Sequence, residues 1–439
     1  MAVHTPPQTD QFVELQTNSK ALLEGISPSY FSELREAAIR EYTEFGLPTV
    51  RDEEFKYLPL HVLREGKYRF GFGAHFERSQ LSTLTLADTD AFSFVFVNGQ
   101  FAPEASSFEN LPDGLEISTF EDADPAVLTQ HLSKIASLKG RLGSTNDERF
   151  VALNTAFLGE GLVIQVSKNK TIERPIHILN IVSSDEAEFV APRLLITVGE
   201  NAEATIIESF ETSTGRAFTC PVTEIRLEKS ARLEHIKFQN ESLESVHIAN
   251  IAVHQEAQSV FTSTNVNFGG HSARNDINVW LNGEYTETWL NGANVATGIQ
   301  VIDNHTRLDH AMPNCQSFEV YKTILKDQSE GVFNGKIFVY EDAQKTDAKQ
   351  TNQAILLSPT ATMNTKPQLE IFADDVKCTH VATIGQLLED AMFYLRARGI
   401  EKSKAEALLV YAFAAEVIEK IGPHDVRASL EAALFTKLA

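Results

Sequence analysis

A chain of 439 residues, 43% of them hydrophobic and 22% charged, can bury a large core in about two to four units and does not have the composition of a disordered protein. Sixty acidic against 38 basic residues give a formal charge of −22, which repels phosphate backbones and anionic lipid, so neither nucleic acid nor a membrane is an expected partner. Cys220, Cys315 and Cys378 are too few for a disulfide framework, "MAVHTPPQTDQF" lacks the segments of a secretory leader, and no apolar run approaches the roughly 20 residues that span a bilayer, so a cytoplasmic location is expected.

The first strong pattern is helical. "SPSYFSELREAAIREYTEFGLP" offers Ser27 as an N-cap and Pro28 as the first helical residue; Phe31, Leu34, Ala38 and Tyr42 recur at helical spacing, and Gly46 and Pro48 close it. "AFSFVFVNGQFA" reads as strand, turn, strand, and "SLKGRLGSTNDERFVALNTAF" as a loop followed by a short helix.

From about Gly161 short β-branched runs follow one another, among them "LVIQVS", "IHILNIVS" and "TEIRLEKSARLEHIKF". Val198–Ala202, Leu227–Ala231, Val253–Ala257 and Leu281–Tyr285 each read as an apolar residue, a polar corner and the start of another strand. Repeats about 26 to 29 residues apart signal a stacked array, because one such unit cannot bury its own apolar face. Two strands per unit with no room for a helix favour a β-helix over a βαβ sheet, with the antiparallel sandwich as the alternative.

After "THVATIGQL" the pattern is helical again. "EDAMFYLRARGI" puts Met392 and Leu395 on one face before Gly399. "SKAEALLVYAFAAEVIEKIGP" offers Ser403 and Glu406 as a capping box, a stripe through Leu409, Phe413 and Val417, and Gly422-Pro423 as the stop. Helices on both flanks are expected to cap the open ends of the array against edge pairing.

Within "IFADDVKCTH", Cys378 and His380 stand two apart in a strand and project from one face. A thiolate and an imidazole together suit zinc, iron or an iron–sulfur cluster, but two ligands do not complete a site. By residue type alone the commoner reading is a small buried hydrophobe beside a solvated histidine. The ligand reading needs the missing donors to come from distant folding, a second chain or a bound ion.

His305, His310 and Cys315 match no ligand spacing and are expected at corners and in the core, as is Cys220. Asp374 and Asp375, adjacent in an extended run, face opposite sides and cannot act as an acid–base pair. Gly331 and Gly335 form no phosphate loop, and no G-x-S-x-G elbow occurs, so no catalytic machinery is found and no enzyme is expected. A β-helix acting as a polysaccharide lyase or hydrolase would need carboxylates stacked along one face, which the repeats lack.

The segments "EVYKTILKDQSEGVFNGKIFVYEDAQKTDAKQTNQAILLS" and "KPQLEIFADDVKCTHVATIGQLLEDAMFYLRARGI" closely resemble the C-terminal half of the SufB/SufD family, and "RDEEFKY" resembles its E-E-W-K/R-Y element with Phe55 in place of tryptophan. "LEIFADDVKCTHVAT" is similar to the form found in the SufD branch, with Val381 where the family has glycine. The resemblance implies a mainly β fold: a right-handed parallel β-helix over residues 156–385, between an N-terminal helical or mixed region (1–155) and a C-terminal helical region (386–439).

It also implies a scaffold subunit of the SUF machinery for iron–sulfur cluster assembly, in complex with SufB and two copies of the ATPase SufC. SufC would dock on the C-terminal helices and use ATP. A nascent cluster would form where SufB meets this chain, with a SufB cysteine and His380 contributing and Cys378 beside it as the second candidate metal ligand. The isolated chain would hold no stable cofactor, the iron–sulfur cluster being transient in the complex, and would self-associate through its strand edges, giving a homodimer. A SufB-like homodimeric scaffold is the alternative within the family.

Overall fold

The computed structural model describes residues 10–71, 76, 78–144, 147–387 and 389–438. The leader reading of the first residues rests largely on 1–9, which lie outside them. Among the described residues no helix is long and apolar enough to cross a membrane.

The body of the chain is a parallel β-solenoid of about eight turns. Each turn contributes one strand to each of two stacks. One stack runs from Leu162–Val166 through Arg193–Val198, Val222–Leu227, Val246–Gln255, Ser272–Leu281, Val301–His310 and Glu330–Val339 to Thr362–Ile371. The other runs from Phe92–Val97 through Ile176–Val190, Glu203–Thr219, Arg232–Asn240, Val260–Asn267, Glu287–Ala296, Gln316–Leu325 and Asp347–Leu356 to Lys377–Gly385. Alternate side chains point inward and form one continuous core, with Ile196, Val198, Ile225, Leu227, Val279 and Leu281 among its members.

The repeat seen in the sequence is this ladder. Val198, Leu227, Gln255, Leu281, His310, Val339 and Ile371 lie in register as one column. Three of the four sequence copies fall on it, and the third is corrected by two residues: Gln255, not Val253, stands in the column. The polar corners have a stereochemical cause. Asn201, Ser230, Gln258, Tyr285, Asn314 and Lys345 recur there with φ between 57° and 64°. At that left-handed bend the Asn201 amide donates to Lys229 O, that of Ser230 to Ala257 O and that of Gln258 to Glu284 O, each one turn on.

Outward-facing apolar residues of the strands seat the flanking helices along the sides. Helices α1 (Gln11–Gly25), α2 (Phe31–Phe45), α3 (His61–Glu65), α4 (Pro125–His131) and α5 (Arg149–Ala156) precede the main body. Phe12, Tyr42, Phe150 and Phe157, from α1, α2, α5 and the residue after α5, pack on Phe189, Phe218 and Val246. Helices α6 (Glu389–Ala397), α7 (Lys402–Ile418) and α8 (His424–Leu438) follow it. Val410, Ala414 and Val417 of α7 and Leu430 of α8 pack on Ile236, Phe238, Val266 and Val295.

The expected helical caps are therefore corrected. At the N-terminal end strand Leu115–Thr119 pairs antiparallel with Leu162–Val166, and Phe101, Phe108 and Leu111 close the interior. At the C-terminal end α7 and α8 lie along the flank and leave the last rung uncovered. Two start signals are corrected as well. Helix α2 begins at Phe31 because Ser27 turns back, its hydroxyl donating to Leu23 O (2.5 Å). Helix α7 begins after Glu401, so Ser403 lies inside it and forms no capping box. Its buried face is centred on Val410, Ala414 and Val417, with Leu409 and Phe413 half-buried.

One buried ion pair fastens the loop after α4 to the solenoid. Arg193 Nη2 meets Glu224 Oε1 at 2.5 Å, with both side chains 0% exposed. Glu224 also accepts the backbone N–H of Ser133 (2.8 Å), Ile135 and Ala136 (3.1 Å each), while Arg193 donates to Asn154 Oδ1 and Thr155 Oγ1.

Candidate metal-binding site at the open end

The last rung consists of Thr362–Ile371 and Lys377–Gly385, and among the described residues each pairs along one edge only. The unpaired edge carries Lys366, Pro367 and Lys377, residues that resist casual strand addition. It also exposes apolar surface: Ile371, Phe372 and Ile384 are exposed, and Val381 is 54% exposed.

Cys378 and His380 sit on this final strand. In the parallel register Cys378 lies over Ala348 and His380 over Gln350. Ala348 is a core residue and Cys378 packs against the same core, so both ligand candidates project from the inward face of the strand. Elsewhere that face is sealed by the next rung. Here no rung follows, so Cys378 is half-buried and His380 is exposed. Burial pushes the Cys378 thiol up, which keeps it protonated in neutral water.

Beneath His380 the interior is polar. Gln350 Nε2 donates to Glu319 Oε2 (2.6 Å), one rung further in. Burial pushes the Glu319 carboxyl up to about 7. On the neighbouring column Asn352 Nδ2 donates to Thr365 Oγ1 (3.1 Å). Gly335, on the opposite wall, leaves the space that the Gln350 amide occupies, and Gly331 leaves room for Met363. These two glycines thus make room for inward side chains.

The other sequence candidates do not converge on this end. His305 lies in a charged network with Asp303 (Nε2 to Oδ1, 2.9 Å) and Glu54 (Nδ1 to Oε2, 3.4 Å), and Glu54 also meets Lys336 (2.8 Å). Burial and Arg274 push the His305 imidazole down, but the Asp303 and Glu54 carboxylates outweigh them and its pKa is raised. This is how the "RDEEFKY" segment docks: Glu54 binds His305 and Lys336, while Phe55 lies under the Arg274 guanidinium, 4.3 Å from ring centre to carbon.

His310 shares a hydrogen bond with Ser317 Oγ (2.9 Å) in the interior, and Cys315 and Cys220 are buried. Asp375 pairs with Lys345 at a corner. Among the described residues no group of three or more His, Cys, Asp or Glu side chains is arranged to hold a metal ion. The Cys378–His380 strand therefore offers two donors facing open space.

Comparison with known proteins decides the family. Residues 180–413 match the model described as "SUF system FeS cluster assembly, SufBD core domain", and residues 7–178 match "SufBD protein N-terminal region". The chain belongs to the SufBD family. It is 32% identical, over 94% of its length and 93% of the relative's, to an iron–sulfur cluster assembly SufBD family protein of Synechocystis. It is 31% identical to the iron–sulfur cluster assembly protein SufD of Escherichia coli, with 91% of each chain covered. It is also 31% identical to the chloroplastic protein ABCI7 of Arabidopsis thaliana, over 93% of this chain and 87% of that one. Membership makes it a SufBD scaffold of SUF iron–sulfur cluster assembly.

Proposed function

We propose that this chain is the SufD-type subunit of a SUF assembly complex and supplies half of a nascent cluster site. His380 donates an imidazole nitrogen and Cys378 a sulfur once deprotonated, and a second scaffold subunit of the SufB type completes the coordination. The carrying observation is the placement of both donors on the inward face of an uncovered terminal rung, beside exposed apolar residues suited to a partner. A transient cluster is then cargo, built at the junction and released, and cellular localisation in the cytoplasm accords with free thiols.

The C-terminal helices are the proposed seat of the SufC ATPase. Helix α6 exposes Phe393 (75% exposed) and Tyr394, and aromatic anchors of this kind dominate protein interfaces. A homodimer through the same open rung is the form expected of the isolated chain, and a SufB-like homodimeric scaffold is the second reading. Recovery of the native complex with identification of its subunits separates them: a SufB-type partner together with SufC supports the first, and SufC alone the second.

The deciding experiment compares wild-type and His380→Ala complexes purified anaerobically. The variant complex should assemble with unchanged mass and subunit ratio while losing its iron and acid-labile sulfide. Normal cluster content on that variant would remove His380 from the ligand set.

A further inference from the structure

The interior beneath His380 holds an unused acceptor. Gln350 is 2% exposed, its Nε2 is committed to Glu319, and its Oε1 has no hydrogen-bond partner among the described residues. A buried carbonyl oxygen without a donor is destabilising, so a ring N–H within reach is its natural partner. The rung register puts His380 next above Gln350 on the same face, about 4.8 Å away in the stacking direction. Gly335 on the opposite wall leaves room for the amide, since a Cβ there would fall on it.

We propose that Gln350 is the positioning residue of His380: its side-chain oxygen accepts one ring N–H and so turns the other ring nitrogen, as a free lone pair, toward the open end. This rests on the reading of His380 as a metal ligand. Metal-binding histidines characteristically donate their second nitrogen to an acceptor of this kind, which fixes tautomer and ring orientation. The Glu319–Gln350 bond gives the reason for the direction. Gln350 Nε2 donates to Glu319 Oε2, so the NH2 is committed inward and the oxygen is left for the histidine. The sequence distance between Glu319, Gln350 and His380 hides a relay that is three consecutive rungs of one column.

The test is made on the metal-free full-length chain carrying ring-15N histidine, with the His380 signals identified by their loss in His380→Ala. At a pH where the ring is neutral, the wild-type tautomer ratio should differ about fivefold from that of histidine in an unstructured peptide, the worth of one net hydrogen bond. Gln350→Met keeps the volume, removes the acceptor and should return the ratio to the unstructured-peptide value. The exchange Glu319→Gln with Gln350→Glu keeps an acceptor oxygen under His380 and should restore it. Gly335→Ala, which displaces the amide without touching its chemistry, should act like Gln350→Met.

In the assembled complex Gln350→Met should weaken Co2+ binding by about 10- to 100-fold. A wild-type ratio equal to that of histidine in an unstructured peptide overturns the positioning role without recourse to any variant, as does a ratio unmoved in Gln350→Met. A shifted ratio in a chain whose His380→Ala complex still accumulates clusters upholds the hydrogen bond and sinks only the ligand reading.

Discussion

The Arg193–Glu224 pair departs from the usual rule for buried ions, and the departure can be measured. Replacing both partners of a buried pair by apolar residues is commonly neutral or stabilising, whereas deleting one costs about 3–5 kcal/mol. Here Glu224 also caps three backbone N–H groups of residues 133–136, which no apolar side chain can satisfy. Each orphaned buried amide costs about 1–3 kcal/mol, so the double variant Arg193→Met/Glu224→Leu should still lose about 3 kcal/mol or more. Arg193→Met alone should lose about 3 kcal/mol and Glu224→Leu about 5 or more, the arginine then being buried without a counter-charge. Urea unfolding followed by far-UV circular dichroism gives the four corners of the cycle, and hydrogen exchange at Ser133, Ile135 and Ala136 reports where the loss falls. A double variant within about 1 kcal/mol of wild type would refute the assignment of those three amides to Glu224.

Four further outcomes follow from other contacts in the structure. The His305 pKa is raised, so its ion pairs with Asp303 and Glu54 stabilise fully below its unfolded value of about 6.5 and are lost as pH rises through the folded value; exchange protection of residues 53–58 should fall over that range, and His305→Gln should abolish the dependence. Glu54, whose carboxyl is held low chiefly by its hydrogen bond to His305, acts oppositely, so protection should also fall as pH drops below about 4.5. Val381→Lys puts a charge on the exposed terminal strand and should weaken homodimerisation of the isolated chain and capture of a second scaffold subunit by tenfold or more, about 1.4 kcal/mol, with unchanged circular dichroism; unchanged association by sedimentation would place the interface elsewhere. Gly292→Ala puts a methyl into the Tyr321 ring, and an overpacked core should lose about 1–3 kcal/mol in the same urea assay, so an unaffected midpoint would contradict the packing.

The solenoid was legible because its stacking demand repeats: an inward apolar residue, then a polar corner that must bend through positive φ, roughly every 28 residues. The slip at Gln255 was not, since turn length changes there and a polar residue occupies an inward place whose hydrogen bonds come from neighbouring turns, as Gln255 Nε2 to Glu287 O. Helix α1, with a polar outer surface and widely spaced anchors at Phe12 and Leu23, and helix α8 show no helical pattern of their own and were covered only by the regional resemblance. Their seats are outward rows such as Phe189 with Phe218 and Ile236 with Phe238, whose use depends on how the strands stack. At the site, the shared face of Cys378 and His380 follows from strand alternation alone. Their exposure, and the amide beneath them, depend on where the array stops and on Gly335 across the interior, which local spacing does not encode.

The uncovered final rung gives the number of turns a chemical meaning. Had the array one more layer, His380 would be shut in like Gln350 below it, and any donor there would be sterically mute. Ending the winding where it does turns an inside position into a doorway, with no hinge or gate required. Insertions or deletions that change the count by a whole layer should thus be harsher on activity than on folding, because they preserve the stacking and remove only the threshold.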